Sequence, residues 1–257
     1  MNRIAVNGRQ FPIEVVVFDK DGLLFGSMAF WIELAYNRLA IALEYMDIPM
    51  ALRWLDLLDI DAAPGEDGVI RIRSIDPMGF MAVGSPDEEV IVTATFLLQE
   101  KKLRWPEARS IARGIHDRGD ELFDYHRAIK PRPGFPGIFR RLREAGIPYG
   151  IATSDERERA RRSVDLFDDF SLLSFVLTPR DVERHKPEPD MLRFVCGKFG
   201  VEPQHVLMIG DSYMDMLMAQ NAGCIGVGIP EYPGMREQML PYATVIAQSL
   251  DDIVIEE

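Results

Sequence analysis

The fold of this chain is set by the sequence VVVFDKDGLL at positions 15–24. Its first four residues are apolar at every position, which favours a strand buried on both faces in a parallel sheet. The run stops at two aspartates, Asp19 and Asp21, and Gly22 follows. Reacting groups in open parallel sheets gather beyond the carboxyl ends of the strands, and paired carboxylates there are costly without a cation or a reaction. Taken alone, the stretch fits an ordinary polar strand end that turns at Gly22 equally well.

Length and composition predict a soluble protein with a sizeable core. The chain has 257 residues, 47% of them hydrophobic, and a formal net charge of -12. This acidic balance argues against a surface that binds nucleic acid or anionic membranes, because both bind positively charged surfaces. Cys196 and Cys224 form no disulfide framework or zinc-ligand spacing and suit a reducing compartment. Residues 1–11 lack an apolar signal core and no apolar segment is long enough to span a membrane, so we expect a cytoplasmic protein.

Residues 25–130 predict a separate, mostly helical domain. Ser85 and Pro86, followed by acidic residues, are typical of a helix start. Proline and glycine indicate a loop at residues 62–68, and the mixed pattern of residues 69–81 allows no assignment. Helical spacing and helix-end signals define four helical stretches, at residues 30–43, 51–58, 85–102 and 106–125. We therefore expect a smaller helical domain inserted into an α/β core that comprises residues 1–24 and 131–257.

Strands and helices alternate from residue 131 onward. An amphipathic helix at residues 138–145 ends at Gly146, a frequent helix stop. The predicted strands that follow are Tyr149 to Ala152, Phe175 to Leu177, Val206 to Ile209, Ile225 to Ile229 and Thr244 to Ile246. The predicted helices between them are Asp155 to Phe167, Asp190 to Phe199, Met214 to Ala222 and Met235 to Leu240. Such alternation requires right-handed crossovers and predicts a doubly wound parallel sheet.

The two ends of the chain carry weaker signals. Asn7-Gly8 lies between short alternating runs in residues 3–11, which predicts a small hairpin at a sheet edge. Ser249 is placed to cap a last short helix.

Three further strand ends carry polar residues. Thr153, Ser154 and Asp155 follow the second core strand, where an ordinary helix cap explains hydroxyl groups equally well. Lys186 stands between strand and helix, and the prolines around it indicate a held position rather than a solvated one.

The last of these strand ends carries two acids. Gly210-Asp211 ends a strand, and Asp215 falls one helical turn later on the same side. Each signal is weak by itself, but their order and spacing together are specific. They read FDKDG at 18–22, ATS at 152–154, KPEPD at 186–190, IGDSYMD at 209–215 and AGCIGV at 222–227.

With these motifs the chain resembles the haloacid dehalogenase-like (HAD) hydrolase superfamily, in its phosphatase branch. The resemblance covers residues 15–24 and 131–250, and its one departure is Leu23, where the family usually has Thr or Val. It implies a Rossmann-like α/β core with a helical cap domain between the first and second motifs. The family's cap is a lid that closes over the site and selects the substrate.

The resemblance assigns the chemistry to the two acids of the first motif. Asp19 would be the nucleophile, attacking phosphorus to form an aspartyl-phosphate. Asp21 would protonate the leaving oxygen and then act as the base that activates water. Because the family's dehalogenases and phosphonate-cleaving enzymes lack an acid at this position, Asp21 favours transfer from an oxygen ester.

The resemblance also implies a phosphate site. Thr153, Ser154 and Lys186 would hold the phosphoryl oxygens, with backbone N–H groups such as that of Gly22 adding donors. Lys186 would in addition offset the repulsion between the phosphate and Asp19.

A Mg²⁺ ion is implied as cofactor. Its ligands would be the side chains of Asp19 and Asp211 and the backbone carbonyl of Asp21. This sparse set suits magnesium, which keeps several waters. Asp215 would not bind the metal directly but would orient metal-bound water.

The expected function is a Mg²⁺-dependent phosphatase that acts on a small phosphorylated metabolite, in a monomer or homodimer. A sugar phosphomutase, an inorganic pyrophosphatase and a non-catalytic binding protein that retains the fold stay open as alternatives. The helical domain has four candidate cationic residues, which either contact the far end of the substrate or lie on solvated helix faces. They are Arg38, Arg53, Lys102 and Arg104.

Overall fold

A computed structural model describes residues 3–256. The chain forms two compact units. The sheet unit comprises Met1–Gly26 and Ile129–Glu257, and the helical unit comprises Ser27–Ala128. No helix within residues 3–256 has the length and apolar character needed to cross a membrane.

The elements are numbered in chain order. The strands are β1 (Arg3–Val6), β2 (Arg9–Pro12), β3 (Val15–Phe18), β4 (Ile60–Pro64), β5 (Ile70–Ile75), β6 (Tyr149–Ala152), β7 (Phe175–Leu177), β8 (Val206–Gly210), β9 (Ile225–Gly228), β10 (Val245–Ile246) and β11 (Ile253–Glu256). The helices are α1 (Ser27–Ala42), α2 (Ile48–Leu57), α3 (Phe80–Val83), α4 (Pro86–Lys101), α5 (Trp105–Glu121), α6 (Tyr125–Ala128), α7 (Gly137–Glu144), α8 (Arg157–Val164), α9 (Asp190–Phe199), α10 (Tyr213–Ala222) and α11 (Pro233–Met239). Short 3-10 turns occupy Phe170–Leu172, Pro179–Asp181, Pro203–His205 and Leu250–Asp252.

The sheet unit is built on a parallel sheet with the strand order β10-β9-β8-β3-β6-β7. Residues Val15 to Phe18 of β3 are each at most 1% exposed. Full burial of such a side chain contributes about 1.5–3 kcal/mol, which explains the unbroken apolar run. From β3 the chain first builds the sheet toward β7 and then returns to β8 on the other side. The predicted doubly wound α/β fold is confirmed, and its topological switch point lies between β3 and β8.

A small antiparallel sheet joins the two ends of the chain in the order β11-β1-β2. The predicted hairpin is present, and Asn7 and Gly8 have φ angles of 49° and 78°, as a tight primed turn requires. Its second strand, β2, lies at an edge of this small sheet. Ser249 caps a short 3-10 helix, Leu250–Asp252, as predicted, and β11 follows it directly. Pairing of β11 with β1 is a contact between distant residues that local pattern does not reveal.

Three predicted helices of the sheet unit have different ends. The helix predicted from Asp155 to Phe167 is the shorter α8, which begins two residues later and ends at Val164. The helix predicted from Met214 begins at Tyr213, and the one predicted from Met235 begins at Pro233, whose fixed φ suits a first helical turn.

The helical unit contains a hairpin that the sequence did not predict. Strands β4 and β5 pair in antiparallel register with a bulge between Asp61 and Ala62, so part of the predicted loop at 62–68 is strand. The unassigned residues 69–81 form β5 and the start of α3. The helix predicted at 106–125 ends at Glu121, and α6 follows separately.

The centre of the helical unit holds a charged side chain. Arg38 of α1 is only 2% exposed, so it lies neither on a solvated helix face nor on an open surface. Its guanidinium group donates to Glu89 of α4 and, at 3.1 Å, to Asp120 of α5. A Cβ at Gly119 would collide with Arg38, which explains why α5 carries a glycine there. The network ties three helices together, since a buried guanidinium is tolerated only when it is paired.

We predict that Arg38→Met destabilises the helical unit by about 3–5 kcal/mol, because it removes the cation from a buried ion pair with Glu89. All three tryptophans of the chain, at positions 31, 54 and 105, lie in this unit, so tryptophan fluorescence during urea unfolding reports on it. The control is Arg71→Met, which removes an exposed ion pair with Asp67 and should leave the midpoint nearly unchanged. Equal urea midpoints for the two variants would contradict the stabilising role assigned to Arg38.

Candidate active site

The first two acids of the site are brought together by neighbouring strands. Asp19 directly follows β3 and Asp211 directly follows β8. The strands are parallel and paired with Phe18 opposite Ile209, and the Asp19 N–H donates to the Ile209 carbonyl at 2.8 Å. Both carboxylates therefore leave the same edge of the sheet, at the topological switch point.

Asp215 joins them from the first turn of α10. Its Oδ2 accepts hydrogen bonds from the backbone N–H of Ser212 at 3.2 Å and from the Ser212 hydroxyl at 2.8 Å. A Cβ at Gly210 would collide with the Asp215 carboxyl group, so the glycine that ends β8 makes room for it. Asp215 is consequently fixed and 1% exposed.

Lys186 lies between two of these carboxylates. Its Nζ is 2.5 Å from Asp19 Oδ1 and 2.6 Å from Asp215 Oδ1, and the residue is buried. Burial opposes the positive charge, but the adjacent carboxylates of Asp19 and Asp215 outweigh it and raise the pKa of Lys186. The ammonium group is thus held in the charged form, in contact with Asp19.

The three carboxylates together fit a hard divalent cation. Asp19, Asp211 and Asp215 each place one oxygen so that the three oxygens lie within 4.8 Å of one another, and all three residues are buried. One ammonium group does not balance three carboxylates. Burial, followed by the charges of Asp19 and Asp215, raises the pKa of Asp211 well above its usual range. A cation with oxygen ligands would remove this cost.

The pKa of Asp19 responds to the same surroundings. Burial raises it, with Lys186 opposing and Asp215 and Asp21 adding, to about 7. A further positive charge near Asp19, in addition to that of Lys186, would therefore favour its ionised, nucleophilic form below neutral pH.

The loop after β3 lies against the acid cluster. Gly22 has φ 77°, and a Cβ there would collide with the Asp211 carboxyl group. Arg132 donates to the carbonyl oxygen of Gly22 and, at 3.3 Å, to that of Pro230. Gly22 is therefore required both by its backbone conformation and by the close approach of Asp211.

Asp21 has a different set of partners. Its Oδ1 lies 2.6 Å from the ammonium group of Lys20, which is also 3.0 Å from Asp155 Oδ2. Burial, partly offset by Lys20, raises the pKa of Asp21. The side chain of Asp21 remains 35% exposed, whereas that of Lys20 is fully buried.

The hydroxyl residues of the second motif differ in exposure. Thr153 follows β6, is 1% exposed, and accepts a hydrogen bond at Oγ1 from the Asp155 N–H at 3.0 Å. Ser154 is exposed. Neither caps a helix, because α8 begins at Arg157 with Glu156 in the capping position.

The structure thus brings Asp19, Lys186, Asp211 and Asp215 into direct contact or near contact. It gives Asp21 a separate ion pair and leaves Ser154 at the surface. Sequence reasoning missed the roles of Lys20, Asp155 and Arg132. The available signal was a lysine only two residues beyond a fully buried strand, where an uncharged residue would be expected.

Parts of this chain are similar in sequence to known proteins. A phosphoglycolate phosphatase of Escherichia coli K12 is 32% identical over 114 residues, which cover 44% of this chain and 45% of that protein. A protein of Caldanaerobacter subterraneus named "Putative pyrophosphatase PpaX" is 35% identical over 106 residues, 41% of this chain and 48% of that protein. The matches span less than half the length of these relatives.

Similarity of fold extends further than similarity of sequence. The crystal structure of a predicted phosphoglycolate phosphatase from Haemophilus somnus 129pt has a TM-score of 0.64 at 18% identity, covering 94% of this chain and 96% of that chain. The family model of haloacid dehalogenase-like hydrolases matches residues 13–223, a span that includes β3, both lysines and the acid cluster. The chain belongs to the haloacid dehalogenase-like hydrolase family.

Proposed function

We propose that this protein is a Mg²⁺-dependent phosphatase that releases phosphate from a small phosphorylated metabolite through an aspartyl-phosphate on Asp19. The observation that carries the proposal is the contact of a buried lysine with Asp19, at the switch point of the sheet and beside two further buried carboxylates. In such a site, the ammonium group of the lysine can stabilise the negative phosphoryl oxygens once the nucleophile is phosphorylated.

The residues that would hold Mg²⁺ are Asp19, Asp211 and the backbone carbonyl of Asp21, with Asp215 orienting water. When bound, the ion would supply positive charge that draws phosphate oxygens toward Asp19 and keeps its carboxylate ionised. The cluster of buried oxygens supports this set, because magnesium prefers a few carboxylates and keeps the rest of its shell for water and phosphate.

In the first step, a carboxylate oxygen of Asp19 attacks phosphorus and the bond from phosphorus to the leaving oxygen breaks. The carboxyl group of Asp21 gives its proton to the leaving oxygen, so the metabolite leaves as an alcohol. Lys186, Thr153 and Ser154, with backbone N–H groups near Gly22, hold the remaining phosphoryl oxygens.

In the second step, water attacks the phosphorus of the aspartyl-phosphate. Asp21, now a carboxylate, accepts a proton from the attacking water, and the bond from phosphorus to Asp19 breaks. Inorganic phosphate leaves, and both aspartates return to their starting forms.

The substrate class is proposed from the relatives and the family resemblance together. The names of the relatives include phosphoglycolate phosphatase and pyrophosphatase, which both describe hydrolysis of phosphorus–oxygen bonds in small anions. In the family the helical domain selects among such substrates, and we assign that role to the helical unit.

We predict that the protein releases phosphate from one or a few members of a panel of phosphorylated metabolites, and that EDTA abolishes the release. Asp19→Asn removes the nucleophile and should lower kcat by at least about 10⁴-fold, as expected when a covalent route is lost. The control is Asp117→Asn, an exposed aspartate of the helical unit, which should keep full activity.

Three results would count against the proposal. Full activity in Asp19→Asn would exclude this nucleophile, and conversion of a sugar phosphate to its isomer without phosphate release would identify a phosphomutase. Failure of the folded wild-type protein to act on any member of the panel would favour a binding protein that retains the fold.

We also predict that Gly22→Ala abolishes stabilisation by Mg²⁺. The methyl group would displace the Asp211 carboxylate, so the rise in Tm that MgCl₂ produces in the wild type should be lost. The matched control is Gly146→Ala, where φ is 67° but a Cβ would meet open space. Both variants should lose about 1 kcal/mol to backbone strain, and only Gly22→Ala should lose the Mg²⁺ response. An unchanged response in Gly22→Ala would contradict the proposed metal site.

A further inference from the structure

Lys20 is the charged residue that the proposed mechanism leaves unexplained. It stands between Asp19 and Asp21, two residues beyond the end of β3, and its side chain is fully buried. Burying an ammonium group is expensive unless it is well paired, and an apolar side chain would continue β3 at lower cost. A lysine at this position is therefore to be explained by the groups that its ammonium contacts.

The partners of Lys20 lie on the side of Asp21. Its Nζ is 2.6 Å from Asp21 Oδ1 and 3.0 Å from Asp155 Oδ2. Lys186, by comparison, contacts Asp19 and Asp215. The two buried lysines therefore contact different acids of the site. Lys20 contacts Asp21, the proposed general acid.

Asp155 is itself firmly held, so it can anchor the lysine. Its backbone N–H donates to Thr153 Oγ1 at 3.0 Å, and its Oδ1 accepts from the N–H of Glu156 at 2.7 Å. Arg159 adds a cation 3.8 Å from the same oxygen. A continuous set of contacts thus runs from the start of α8 through Asp155 and Lys20 to Asp21.

We propose that Lys20, anchored by Asp155, is a positioning residue that sets the carboxyl group of Asp21 for proton transfer to the leaving oxygen. The inference rests on the proposed phosphatase function. A general acid must lie within hydrogen-bond reach of the oxygen that it protonates, and the side chain of Asp21 is 35% exposed and could otherwise turn toward solvent. Lys20 holds Oδ1, and the other oxygen of the carboxyl group serves the substrate.

The lysine takes no part in bond making. Asp19 forms the new bond to phosphorus, the ester oxygen leaves with the bonding pair, and the proton comes from Asp21. Loss of Lys20 should therefore impair only proton transfer by Asp21, which depends on the orientation of its carboxyl group.

The test compares leaving groups. Alkyl phosphates leave as poor alkoxides and need the proton, whereas p-nitrophenyl phosphate leaves as a stable phenolate and needs it little. We expect Lys20→Met to lower kcat/KM for an alkyl phosphate by about 10–100-fold, a large part of what a general acid supplies, and for p-nitrophenyl phosphate by less than about threefold. Asp21→Asn should show the same selectivity more strongly, and the exposed Lys198→Met should show neither effect.

Two further variants address folding. Lys20→Met leaves Asp21 and Asp155 without their shared cation, so Asp155→Asn, which keeps the lysine, should show the same selectivity to a smaller degree. Lys20→Arg retains the charge and should recover most of the activity on the alkyl phosphate. Equal losses on both substrates in Lys20→Met and Asp155→Asn would mean a merely structural role and would overturn the proposal.

A crystal structure of Lys20→Met separates this inference from the proposed function. Displacement of the Asp21 carboxyl group relative to the wild-type protein supports positioning by Lys20 whether or not any substrate is turned over. An Asp21 carboxyl group that keeps its place in the variant overturns the inference, even if the wild-type protein is an active phosphatase.

Discussion

The contact between the Lys186 ammonium group and the carboxylate of Asp19 is the interaction on which the site depends. Three carboxylates buried at one sheet edge repel one another, and their desolvation opposes ionisation. Lys186 offsets part of this cost by lying between Asp19 and Asp215. The remaining excess of negative charge makes the site receptive to a divalent cation, and the same ammonium group can then face a phosphate.

The surrounding fold can be understood as the means of holding these charges close together. Adjacent parallel strands bring Asp19 and Asp211 to the same edge of the sheet, since β3 and β8 pair from Val15 opposite Val206 to Phe18 opposite Ile209. Two glycines allow the approach, Gly22 next to Asp211 and Gly210 next to Asp215. The helical unit has its own buried cation, Arg38, paired with acids from two other helices. In both units, therefore, a buried cation joins elements that are distant in sequence.

The parallel sheet and the main acids of the site were predictable from the sequence because both have local signatures. A strand covered on both faces gives an unbroken apolar run, as in Val15 to Phe18, and an acid that follows such a run lies at the sheet edge. The strands of the β4–β5 hairpin are close in sequence, but the prolines, the glycines and the mixed apolar pattern around them gave no strand signature. The pairing of β11 with β1 lacked a local signature because its partners are distant in sequence. The contact of Lys20 with Asp155 was hidden for the same reason, since it joins residues 135 positions apart. The motif FDKDG gives no reason to single out Lys20, whereas its burial shows that it belongs to the charged centre.

The most direct test of this account is to trap the protein during turnover. The protein is mixed with substrate and Mg²⁺, quenched with acid within milliseconds, and digested for mass spectrometry. We predict a phosphorylated peptide that contains Asp19 and is absent from Asp19→Asn, because attack by this carboxylate precedes the release of phosphate. Rapid phosphate release with no phosphorylated peptide, or with the phosphoryl group on another residue, would contradict the central role assigned to Asp19.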